Sequence, residues 1–107
     1  MSSVFEEIAA LDKLLHEPAR LSLMTALSVC KNADFLALQR LTGLTGGNLS
    51  VHLSKLEEAG LITLDKQFVN KRSNTTVQIT DKGRQLIEAH WRQLEALRND
   101  ARKWQAQ

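Results

Sequence analysis

The sequence predicts a mainly α-helical domain with one small β-hairpin, and three observations predict it. Apolar residues recur at three- and four-residue intervals over five separate stretches, the signature of helices with one buried face. β-Branched residues crowd instead between Gly60 and Thr80, on either side of the turn-forming run "NKRSN". The chain has 107 residues, 43% of them hydrophobic and 24% charged, which is enough for one core but not for two.

Val4, Ile8, Leu11 and Leu15, with Phe5 and Leu14 beside them, predict a first helix running to about His16. Pro18 restarts the chain, since proline suits the first turn of a helix. "EPARLSLMTALSVCK" therefore reads as a second helix with Leu21, Met24 and Leu27 turned inward, and Val29 or Cys30 as a further inward position. Asp34 can cap a short third helix, "FLALQRLTG", which Gly43 closes. Thr45 is placed to cap a fourth helix and Gly60 to end it, while Leu49, Leu53 and Leu56 commit one of its faces to the core. "LITLDKQFV" and "TTVQIT" are the two strands of the hairpin, whose tip is basic. Thr80 caps a last helix of about six turns, "DKGRQLIEAHWRQLEALRNDARKW".

The last helix is longer than so small a globule needs. Ile87, His90, Leu94, Leu97, Ala101 and Trp104 follow a 3-4-3-4-3 spacing, the seam of a coiled-coil-like contact, with Leu86 and Trp91 widening it. Its complement is the acidic N-terminal helix with Val4, Phe5 and Ile8, from the same chain or from a second copy. Residues 1–10 and 81–107 are thus expected to be helical dimerisation extensions around a core of residues 11–80, and the chain is expected to be a homodimer.

Charge is uneven although the net value is only +2. Met1 to Glu17 carries four acids against Lys13, whereas Lys66 to Thr80 carries Lys66, Lys71 and Arg72 with no acid. One cysteine, Cys30, excludes an internal disulfide framework and reads as a small buried hydrophobe. No apolar run approaches the roughly 20 residues of a membrane span, and the N-terminus carries acids where a signal peptide carries bases, so a cytoplasmic location with no membrane partner is expected.

The fourth helix poses a question of its own. It opens on Gly46 and Gly47, although each glycine in a helix costs roughly 0.5–1 kcal/mol relative to alanine. At about 100° per residue, Gly47, Val51, Ser54 and Glu58 point away from the leucine face, flanked by Asn48, Ser50 and Lys55. Solvated helix faces are usually rich in Glu, Lys and Arg, and the start of this one is small and uncharged. Short side chains suit a helix end pushed into a major groove, where Asn48 or Ser50 reaches base edges and the free N–H groups at Gly46 and Gly47 hold a phosphate.

Two short helices joined by "TGLTG" and followed at once by a basic-tipped hairpin is the element order of a winged helix-turn-helix. The segments "LDKLLHEPARLSLMTALS", "NLSVHLSKLEEAGLI" and "TTVQITDKGRQ" resemble the small winged-helix transcriptional regulators related to the MarR and ArsR families, over about Leu11 to Leu86. The resemblance implies a recognition helix at Thr45 to Ala59, a wing within Lys66 to Thr76, and a dimer on a palindromic double-stranded DNA operator. It makes Lys71 and Arg72 candidates for phosphate or minor-groove contact and Arg20 a weaker phosphate candidate, for which an ion pair with Glu17 is an equal explanation.

An enzyme is not expected, nor a metal or other cofactor. His16, His52 and His90 fall in three different predicted helices without ligand spacing, and the paired cysteines of ArsR metal sites are missing from this sequence. His52, about 60° off the leucine face, reads as a packed or hydrogen-bonded histidine. The other function class open to this scaffold is a winged-helix module that binds a protein and has no operator. A small-molecule effector, if there is one, is expected in a crevice between the winged domain and the dimerisation helices.

Overall fold

The computed structural model describes residues 3–104. Five helices, α1 (Val4–Ala9), α2 (Pro18–Cys30), α3 (Phe35–Thr42), α4 (Gly46–Glu58) and α5 (Asp81–Arg102), are joined by three strands, β1 (Asn32–Asp34), β2 (Ile62–Val69) and β3 (Arg72–Ile79). The strands form one antiparallel sheet in the order β1-β3-β2. This is a winged helix-turn-helix, mainly helical, with its three-stranded sheet at one side.

Polar caps set most boundaries where the sequence predicts them. Asp34 accepts the Ala37 N–H at 2.7 Å, Thr45 accepts the Asn48 N–H at 3.2 Å and Thr80 accepts the Gly83 N–H at 3.0 Å, each filling one of the donors a helix start leaves free. Gly43 closes α3 in the left-handed conformation at φ 71°. Thirteen buried apolar residues join α2, α3, α4, the sheet and α5 in one core, with Leu23, Leu27, Leu38, Leu49, Leu56, Val77 and Ile87 wholly inaccessible.

Three sequence expectations fail. The first helix stops at Ala9 rather than at His16. Asp12 Oδ1 accepts the Leu14 N–H at 2.8 Å, a local turn that competes with helix, and the Leu11–Leu15 spacing survives only because both side chains reach the core from this turn. His16 consequently lies in a turn, not in a helix. Val29, about 200° round α2 from Leu27, is 80% exposed, and Cys30, the last residue of α2, is also exposed rather than buried. The hairpin is also not alone: Asn32–Asp34, too short to carry a periodic signal, pairs with β3 through Ala33 and Val77.

The long helix α5 finds cover within the chain. Ile87, His90 and Leu97 are buried, and α5 packs against both α1 and α2. Three of the residues predicted to form a dimer seam are therefore interior side chains. Phe5 and Trp104 meet edge to face with ring centroids 5.4 Å apart, so α1 docks on α5 in the same chain. Val4, Leu94 and Ala101 are half-buried. Phe5, Ile8, Leu86, Trp91 and Trp104 keep between 38% and 56% of their surface exposed.

Candidate nucleic-acid interface

α4 is anchored on its inner side by Leu49, Leu53 and Leu56, all buried, which turns the opposite face to solvent. Thr45, Gly47, Asn48, Ser50, Val51, Ser54 and Lys55 are exposed and Gly46 is half-buried, so the predicted recognition residues do lie on one accessible surface. Val51, 54% exposed, is the one large apolar group among them.

The five glycines separate into those the fold requires and those it does not. Gly43 and Gly60 have φ of 71° and 77°, where a Cβ is strained. A Cβ on Gly83 would collide with the Leu61 carbonyl. Gly46 and Gly47 are helical with no such demand: a Cβ at Gly46 would meet Gln39 Nε2 and Phe35 Cε1 at ordinary contact distances of 3.8 and 3.9 Å, and one at Gly47 would meet nothing within 4 Å. Among the described residues, nothing accounts for Gly47. The surface of α4 at this point is free for an approaching backbone.

The wing stands beside this helix. β2 and β3 pair in unbroken register from Ile62–Ile79 to Val69–Arg72, and the reversal needs only Asn70 and Lys71, at φ 51° and 64°. Positive φ at both central residues is the two-residue turn whose twist matches the strands. The predicted "NKRSN" loop is thus shorter than expected, and Arg72 is the first strand residue. Every residue from Asp65 to Asn74 is exposed, Lys71 and Arg72 among them. Ser50 and Ser54 of α4 share a cleft of 200 Å³ with Leu64, Lys66 and Thr75 of the wing, so helix and hairpin form a continuous surface.

Arg20 does not belong to it. The side chain is buried, its Nε donates to the Leu14 carbonyl at 2.6 Å, and one terminal nitrogen donates to the Lys13 carbonyl at 3.2 Å. The other lies 3.0 Å from His52 Nδ1 and 3.8 Å from Glu17. A guanidinium only donates, so His52 Nδ1 accepts and its proton sits on Nε2. Arg20 therefore ties the α1–α2 turn to α4 as a buried clamp, with its donors turned inward rather than toward the exposed face. Burial works against ionised Glu17, but the N–H groups of Arg20 and Ala19 and the charge of Arg20 outweigh it and hold the carboxyl below its ordinary value.

Two residues that the sequence reading left unassigned lie on or near this surface. Lys66 lines the cleft beside α4, and Phe68 is 80% exposed near the wing tip. Phe68 follows Ile62, Leu64 and Lys66 on one strand face, and the charge at Lys66 is the one sequence sign that the core ends before it. Two histidines far apart in sequence also converge: His16 Nδ1 lies 3.3 Å from His90 Nε2 where the turn meets α5. Between α2, α3 and α5, an apolar crevice of 470 Å³ runs past Leu21, Ala26, Leu41 and Trp91, whose Nε1 donates to Thr25 Oγ1 at 2.9 Å.

Residues 19–98 match the winged helix DNA-binding domain family. The chain is similar to the uncharacterized protein MJ0432 of Methanocaldococcus jannaschii, 35% identical over 72 residues that make up 67% of this chain and 78% of that protein. It is similar in structure to a transcriptional regulator homologue from Pyrococcus horikoshii OT3, with a TM-score of 0.80 and 32% identity over 90% of this chain and 94% of the other. A MarR-family transcriptional regulator from Silicibacter pomeroyi shares the fold, with a TM-score of 0.64 and 20% identity over 96% of this chain and 66% of the other.

Proposed function

The chain belongs to the winged helix DNA-binding domain family, and from that premise we propose that it is a cytoplasmic, homodimeric, sequence-specific transcriptional regulator acting on a palindromic operator. The observation that carries this reading is the start of α4. Gly47 lies on an exposed helix N-terminus where neither φ nor packing calls for glycine. A glycine there lets a DNA backbone approach the free N–H groups and the positive end of the helix dipole. α4 then lies in the major groove with Asn48, Ser50 and Val51 toward base edges, while the wing brings Lys71 and Arg72 to phosphates or the adjacent minor groove.

Two copies joined through the apolar residues still exposed on α1 and α5 would present two such helices. That arrangement reads a two-fold symmetric site, with half-sites about 34–36 Å apart centre to centre. Selection of bound duplexes from random oligonucleotides, followed by affinity measurements at two salt concentrations, tests the reading. Enrichment of an inverted repeat bound more tightly than unrelated DNA is the expected outcome. Recovery of no sequence, with only salt-sensitive uniform binding, would overturn it.

A further inference from the structure

The wing tip holds an aromatic side chain with no place in the fold. Phe68 is 80% exposed and Val69 47% exposed, in a stretch of hairpin where every residue is solvent-accessible. A phenyl ring has no polar edge for water, and the core has already closed at Leu64, so the position contributes nothing to folding that a threonine would not. The unbroken register places Leu64, Lys66 and Phe68 on one face of the ribbon. That is the face on which Leu64 and Lys66 meet Ser50 and Ser54 of α4. The Phe68 ring thus extends the recognition surface outward rather than turning from it.

Its surroundings select the occupant. From Lys66 to Thr80 there are three cations and no carboxylate: Lys66 shares the face of Phe68, Lys71 lies in the turn and Arg72 pairs with Val69 on the other face, all three exposed. An apolar ring set among cations matches a polyanion with apolar recesses, and the minor groove provides both. A two-residue turn also keeps the tip compact, so that a side chain at its end, rather than the ribbon itself, reaches into a groove about 6 Å wide. We propose that Phe68 is an apolar wedge that enters the operator's minor groove beside the half-site read by α4, partly unstacks one base step and bends the duplex. This rests on the DNA-binding reading above and adds a deformation step to it. The wedge favours pyrimidine–purine steps, which unstack most easily, so it contributes specificity at a position no polar side chain reads.

The test uses the full chain and an operator recovered by selection, end-labelled for energy transfer and also run as circularly permuted fragments. The parent protein is expected to bend the duplex by at least about 20°. Phe68→Thr, which keeps a strand-favouring residue, is expected to retain its melting temperature, bind about tenfold more weakly and leave the duplex nearly straight, as loss of one aromatic–base contact implies. Phe68→Leu, still an apolar wedge, is expected to keep most of the bend. Replacing the pyrimidine–purine step at the wing position should weaken the parent more than Phe68→Thr. A parent complex with straight DNA, or a Phe68→Thr complex bent like the parent, overturns the wedge while leaving the DNA-binding reading intact. Conversion of a dimer to a monomer by Phe68→Thr in sedimentation overturns it in favour of a contact between copies. Failure of the parent to bind any selected duplex overturns both.

Discussion

Gly47 is exposed, helical and free of neighbours, and its two simplest substitutions should therefore act in opposite directions. Gly47→Ala is expected to raise stability by up to about 1 kcal/mol, because alanine has less backbone entropy to lose and no atom blocks its methyl group. Gly47→Val is expected to fold normally and lose operator affinity, because its branched side chain holds the DNA backbone away. Melting curves and anisotropy titrations on both variants check this; a Gly47→Val protein with parental affinity contradicts close approach. His90 supplies a second residue-level expectation. Burial, and then the neighbouring charge of His16, push its pKa below the ordinary value against a smaller opposing influence of Asp12. The unfolded chain therefore takes up a proton that the folded chain refuses, so stability is full above about pH 6.5 and declines as pH falls through the lowered pKa of the folded state. His90→Gln should flatten that part of the profile of melting temperature against pH; an unchanged profile would place the titration elsewhere.

At the level of elements, the wing and the start of α2 both present an arginine with opposite consequences. Arg72 is exposed on the first residue of β3, so Arg72→Ala should leave the melting temperature alone, weaken operator binding and reduce the slope of log affinity against log salt by about one unit. Parental affinity at every salt concentration would remove Arg72 from the interface. Arg20 is a buried donor to two carbonyls and to His52, so Arg20→Ala strands these acceptors and should cost about 1–3 kcal/mol of stability. Its salt slope should match that of the parent. A changed slope in a fully stable Arg20→Ala protein would return Arg20 to the phosphate contacts.

At the level of the whole molecule, the chain is elongated, 65 × 26 × 21 Å, because the wing and the end of α5 project from a small core. Its radius of gyration is 16.6 Å, against about 13 Å for a compact domain of this length. This extended shape leaves apolar surface exposed on the terminal helices among the described residues. Phe5 and Ile8 are 45% and 38% exposed on α1, next to Trp104 at 56%. Phe5→Glu combined with Ile8→Glu places charge on this surface without touching a buried residue. The expected product is a folded monomer with weak operator binding, seen as halved mass in sedimentation. A dimer of unchanged mass would move the interface off α1.

Helix caps, leucine periodicity and the change to β-branched residues were enough to determine the fold class, the positions of α2 to α5 and the accessible face of α4. Each of these is a local property: a cap is decided by three or four neighbouring residues, and a face by the angle between successive side chains. The role of Arg20 was legible only in its ion pair with Glu17, because its other partners Leu14 and His52 meet it only once the turn folds back on α4. The end of α1 was hidden for a related reason, since Leu11 and Leu15 keep helical spacing while reaching the core from a turn. Ile87, His90 and Leu97 read as a seam waiting for a partner, and only tertiary structure decided that α1 and α2 supply it in the same chain. A periodic apolar stripe records that a surface is covered, but the identity of the cover depends on contacts between segments far apart in sequence. Phe68 stands at the opposite limit: its strand is legible in the sequence, but its exposure is not, because it depends on how far the wing extends beyond the core.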